Sequence, residues 1–197
     1  MTNGKSKKNT RNWSRKSVLD NDGEKIAHIS YKKITKADYD KGKKQRNMTR
    51  LKGFGQKSVV VSGEKHITVS GILRRRNPGS SRESLAAIDV VNPNFTQQSH
   101  KSHFFPDVFG GPNKQENLSN EEPRMNLSGH KVIENRIGRL MEEAHPGAHT
   151  LKRRGSMEIE GSFSASGESQ SRKYHIHIDG NGTTPDTFHQ ITLTRKQ

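Results

Sequence analysis

At 197 residues the chain is long enough for one domain of ordinary size, yet only 27% of it is hydrophobic and its formal net charge is +15. Such a balance leaves part of the chain outside a packed core and favours polyanionic partners such as DNA, RNA or an anionic membrane surface. The absence of cysteine excludes disulfides and thiolate zinc sites. No apolar run reaches the length of a membrane-spanning helix, and the opening MTNGKSKKNTRNWSRK lacks the apolar stretch of a secretory signal. No membrane partner is expected, and the chain is expected in the cytoplasm or exported by a route that reads no such signal.

Residues 1–50 carry 15 Lys or Arg against 5 Asp or Glu. Residues 1–55 therefore read as a flexible basic arm, with an apolar patch at 26–31 and at most a short helix over 32–44. The folded domain is expected over 56–197. KSVVVSG and HITVSGILRR predict a hairpin, Asn77-Pro78-Gly79 a turn, and SLAAIDVV a third strand. Val132, Ile133, Ile137, Leu140 and Met141 recur at helical spacing over 127–143, with Ser128 as N-cap and Pro146-Gly147 as the stop. SMEIEGSF, SRKYHIHIDG and TFHQITLTRK alternate as three further strands.

One stretch does not fit a polar chain: SHFFPDVFGGPNKQENL, residues 102–118. His103 opens it, Asn117 closes it, Asn126 stands at the expected helix start, and Glu134 follows eight residues later. Helical side chains lean toward the N-terminus, so Glu134 points back toward Asn126. An amide oxygen, a carboxylate and a nearby histidine suit magnesium, which keeps several waters and takes few protein ligands. A neutral histidine there can accept a proton from water attacking phosphorus. The expected reaction is phosphodiester hydrolysis.

Over residues 101–141 this run resembles the DNA/RNA non-specific endonucleases of the ββα-metal (His-Me finger) superfamily, especially the bacterial toxin-type branch. Their pattern runs G-H-L-I-A-x-x-F-G-G-x-x-x-x-E-N-L, then N-x-N and a helical glutamate; S-H-F-F-P-D-V-F-G-G-P-N-K-Q-E-N-L follows it without a gap. The resemblance implies an α+β fold: a ββα-metal nuclease core with an antiparallel sheet and a metal-site helix. It implies His103 as general base, Asn126 as the direct ligand of Mg2+ (Mn2+ as the alternative), Glu134 as the acid orienting metal-bound water, and Asn117 as the brace of the loop. Phe104, Phe105 and Phe109 would pin that loop, and Gly110-Gly111 would let it turn. The sequence departs from the pattern where Asp-Arg-Gly usually precedes the histidine: His100, Lys101 and Ser102 stand there, and Arg124 replaces the first asparagine of N-x-N. Lys101 keeps the arginine's charge without its bidentate fork.

Further expectations concern binding. Arg74, Arg75, Arg76, Lys101 and Arg124 are the candidates for gripping phosphate, although a charge run beside a turn is more often a solvated face. His100 is the alternative base. His175 and His177 share one side of a strand and form an H-x-H pair, more in keeping with an ordinary polar face than with a metal site. The function expected is a metal-dependent, sequence-tolerant endonuclease, with the toxin-type resemblance suggesting an effector module and an acidic immunity protein as partner. The alternative is an impaired homologue that binds nucleic acid without cutting it.

Overall fold

The computed structural model describes residues 13–48, 54–77, 84–147 and 151–197. Pro78 and Gly79 of the expected turn and the first twelve residues of the expected arm lie outside them. The alternation of apolar and polar residues gives the expected hairpin: β3 (Gly55–Val61) pairs with β4 (Glu64–Leu73), and Val61 stands opposite Glu64. Ser62 and Gly63 turn the chain at φ 51° and 81°, the two positive values of a turn whose twist matches its strands. The three C-terminal strands also form where expected, as β7 (Gly155–Phe163), β8 (Ser169–Ile178) and β9 (Thr187–Arg195).

The expected basic arm is different. Residues 15–46 form β1 (Arg15–Leu19), β2 (Lys25–Ile34) and α1 (Lys36–Arg46), and β2 pairs antiparallel with β9. The apolar patch is the core face of a strand: Ala27 and Ile29 are fully buried while the lysines around them face water. Thr35 caps α1 by accepting from the Asp38 N–H at 3.1 Å.

All seven long strands join one antiparallel sheet in the order β1-β2-β9-β8-β7-β4-β3. Its register aligns Ile67, Gly161, Arg172, Leu193 and Ile29 in one row and Val69, Ile159, Tyr174 and Ile191 in the next. This face carries the core. The other face shows Glu160, Lys173 and His175 and is partly covered by α1, whose Tyr39 packs on His177 and Phe188.

On the apolar face lie a short hairpin, β5 (His100–His103) with β6 (Leu118–Glu121), then a π-helical segment, Met125–His130, running into α2 (Lys131–Ala144). α2 buries Ile133, Ile137, Leu140 and Met141 of the stripe read from the sequence, while Val132 is only partly buried. Its helical segment starts before the expected N-cap Ser128: the Glu122 carboxylate accepts from the N–H groups of Arg124 and Met125 at 3.1 and 3.0 Å, with Pro123 between them. SLAAIDVV forms no strand. The carbonyls of Leu85, Ala86 and Ile88 converge on the Lys101 ammonium at 2.5 to 2.9 Å, which an extended strand cannot do.

The fold class therefore departs from the expectation. The described residues build a β-rich fold dominated by a seven-stranded antiparallel sheet with a two-stranded sheet beside it, rather than an α+β ββα-metal core. The expectation fails because a local motif of some forty residues says nothing of β1 and β2, which extend the sheet at one side.

Candidate functional site

His103 ends β5, with Leu118 as its Cα partner. Phe104 and Phe105 follow and are completely buried. Two glycines in the sheet make their seats: a Cβ on Gly161 would stand 2.2 Å from Phe104 Cζ, and one on Gly71 would stand 2.7 Å from Phe105 Cε2. The chain then doubles back. Pro106 O accepts from the N–H groups of Phe109 and Gly111 at 3.0 Å each, and Gly110 sits at φ 92°. Gly111 passes so close to Phe105 that a Cβ would meet its carbonyl oxygen at 1.8 Å.

Asn117 is fully buried inside this loop. Its amide oxygen accepts from Phe105 N–H at 2.7 Å, and its amide nitrogen donates to Phe105 O at 2.9 Å and Pro112 O at 3.0 Å. Arg76 N–H donates to Val108 O at 3.0 Å and so ties the end of β4 to the same loop. The loop is thus fixed from three sides before His103 meets any solvent.

His103, Asn126 and Glu134 arrive from β5, the π-helical segment and α2 and line one cavity of about 760 Å3. Arg76, Lys101, Asp107, Asn113, Lys114 and Lys131 line it too. A π-turn inside a helix is itself a frequent mark of functional sites, and here it carries Asn126. His103 Nε2 lies 2.7 Å from Asn113 Oδ1; a carboxamide oxygen only accepts, so the ring nitrogen donates. Lys131 Nζ stands 3.6 Å from the Glu134 carboxylate.

The remaining expected residues are dispersed. Lys101 reaches the cavity, but its ammonium spends its donors on the three carbonyls of 85–88 and holds that segment in place. Arg75 pairs with Glu142 at 3.0 Å, Arg76 with Asp107 at 3.5 Å, and Arg74 runs along Gly110. Arg124 opens the helical segment and, like Arg74, Arg75 and Asn117, is not among the residues lining the cavity. His100 pairs across the hairpin with Glu121 and is likewise outside it. The H-x-H histidines are each engaged by a carboxylate, His175 by Glu160 at 2.6 Å and His177 by Asp186 at 2.7 Å. His177, Asp179 and Asp186 lie close together, but Arg153 takes Asp179 at 2.9 Å and Gly180 N–H takes Asp186 at 2.8 Å.

Sequence reasoning missed the support behind His103. Arg172 of β8 donates to His103 O at 3.2 Å and to Ser119 Oγ at 2.7 Å, bonds the Glu121 carboxylate, and lies 4.0 Å from the Phe104 ring centroid. Burial would raise the Glu121 carboxyl, but the Arg172 guanidinium and His130 outweigh it and bring it down from 4.5 to about 2. His130 Nε2 stands 3.7 Å from the other Glu121 oxygen, too far for a hydrogen bond. Burial, then Arg172, lower the His130 imidazole against the opposing pull of Glu121. Tyr174 OH closes the network 3.3 Å from His130 Nδ1, its hydroxyl raised to about 12 by burial.

In comparison with known proteins, no family model, no curated protein and no solved structure matches the chain.

Proposed function

We propose that the chain is a metal-dependent, sequence-tolerant endonuclease that hydrolyses phosphodiester bonds of DNA or RNA. The observation that carries the reading is that His103, Asn126 and Glu134, three residues from separate elements, line the same cavity. The resemblance of residues 101–141 to the non-specific endonucleases supports it, as a likeness of that segment and not of the fold.

The donor set fits magnesium or manganese. Asn126 Oδ1 would hold the ion directly and the Glu134 carboxylate would hold it through its waters, leaving most positions to water and phosphate. When bound, such an ion offsets negative charge on the phosphate and on the departing oxygen. The chain's own groups do the rest. Arg76, Lys114 and Lys131 give the cavity a positive lining that draws in phosphate. His103 accepts a proton from the attacking water as the new P–O bond forms and the ester P–O bond breaks. Asn117 acts only by holding the loop that presents His103.

Plasmid nicking and RNA degradation by wild type and His103→Ala, with magnesium and with EDTA, test the reading. Cutting that needs magnesium and falls about 10²- to 10⁴-fold in the variant is expected for loss of a general base. Equal rates for the two proteins would remove His103 from the chemistry. A second reading, a nucleic-acid binder without cleavage, draws on Lys101, whose donors are occupied by carbonyls. It predicts salt-sensitive retention in gel shifts with no cutting by either protein.

A further inference from the structure

We propose that Asn113 is the positioning residue of His103, holding its ring in the Nε2–H tautomer so that Nδ1 is the nitrogen left to accept the proton from water. The proposal rests on the nuclease reading above. A histidine base works only if one nitrogen is kept free of its proton and the ring is held in one orientation, and the partner of the other nitrogen decides both. Here that partner is the Asn113 amide oxygen, 2.7 Å from Nε2.

The pairing is built into the loop. His103 stands at its start and Asn113 ten residues on, immediately after Pro112, whose carbonyl accepts from the Asn117 side chain at 3.0 Å. Proline fixes φ at that point, so the backbone entering Asn113 is pinned by ring closure and by the buried amide. At the other end Phe104 N–H donates to Asn117 O at 2.8 Å, and Arg172 holds the His103 carbonyl. Backbone and ring of His103 are thus fixed by different residues. Asn113 is a neutral acceptor, and the charged groups lining the same cavity are the cations Arg76, Lys101, Lys114 and Lys131 and the carboxylates Asp107 and Glu134. An aspartate at 113 would instead favour the imidazolium.

The test combines nitrogen-15 NMR of the histidine rings in the full chain with single-turnover cleavage of a plasmid. His103→Gln identifies the signal, and wild type, Asn113→Leu and Asn113→Asp are compared. The proposal expects an Nε2–H signature for His103 in wild type and a mixture of tautomers in Asn113→Leu. Cleavage in that variant should slow about 10- to 100-fold at an unchanged KM. Asn113→Asp should keep the signature and move the acid limb of the rate profile to higher pH. An active wild type with an Nδ1–H signature, or full speed in Asn113→Leu, overturns the proposal and leaves the nuclease reading intact. A wild type that does not cut overturns the nuclease reading itself, and the role of Asn113 with it.

Discussion

Arg172 is a charged side chain set between Gly161 and Leu193 in the sheet, and only 1% of its surface is exposed. Burying a guanidinium there is costly unless every partner is in place, and removing one partner of such a pair typically costs about 3–5 kcal/mol. Arg172→Met is expected to lose that much in urea unfolding, and Arg172→Met/Glu121→Leu to lose less, because the second change removes the stranded charge. A double variant no better than the single would refute the coupling. The pH dependence has a definite sign. Glu121 is held at about 2 against an ordinary 4.5, so its contribution is complete above about 4.5 and is lost as pH falls toward 2. Without Arg172, burial loses its main opponent at Glu121 and the acid limb of unfolding should move up in pH. That His103, Asn126 and Glu134 come to line one cavity could be expected from the sequence, because they lie in one short run of the chain. The place of Arg172 could not be: Ser119 and Glu121 lie 53 and 51 residues away in the chain, and in SRKYHIHI the arginine reads as one more surface charge.

At the scale of elements, the loop that presents His103 is seated by its two phenylalanines, and the sheet is shaped to receive them. Gly161→Ala places a methyl 2.2 Å from Phe104 Cζ, a small-to-large change inside a packed core. It should cost about 1–3 kcal/mol, read as a lower urea midpoint, and Phe104→Leu in the same chain should recover part of it. An unchanged midpoint would show that Phe104 is not held there. A glycine inside a strand offers no side chain to pack, and at Gly71 and Gly161 that gap is filled by the two phenylalanines. The hairpin of β3 and β4, the three C-terminal strands and the apolar stripe of α2 could all be read from periodicity. β5 and β6 could not, being four residues each, and SLAAIDVV misled because its apolar residues suit a strand while its carbonyls serve Lys101.

At the scale of the molecule, the basic N-terminal segment supplies part of the core. Val18, Ala27 and Ile29 are buried with the rest of the apolar cluster, and β2 covers the edge of β9 along eight residue pairs. Deletion of residues 1–46 is therefore expected to abolish cooperative thermal unfolding by circular dichroism, whereas removal of a mere tail would leave the transition in place. The segment misled because, among its described residues, only three apolar side chains, Val18, Ala27 and Ile29, are buried in the core cluster, while the lysines beside them set its overall character. Composition reports how much of a segment is wet, and one buried face of a strand is a small fraction of it.

The pairing of β2 with β9 joins nearly opposite ends of the chain, and that sets the order of events during synthesis. β2 is made early and waits for its neighbour until residues 187–195 have left the ribosome. The segment carrying Asn126 lies on the same two ends of the chain: Gly129 faces Val18 and Leu193. A nascent chain therefore holds every residue that lines the cavity before Leu193, part of the seat of the helical segment that carries Asn126, has been made.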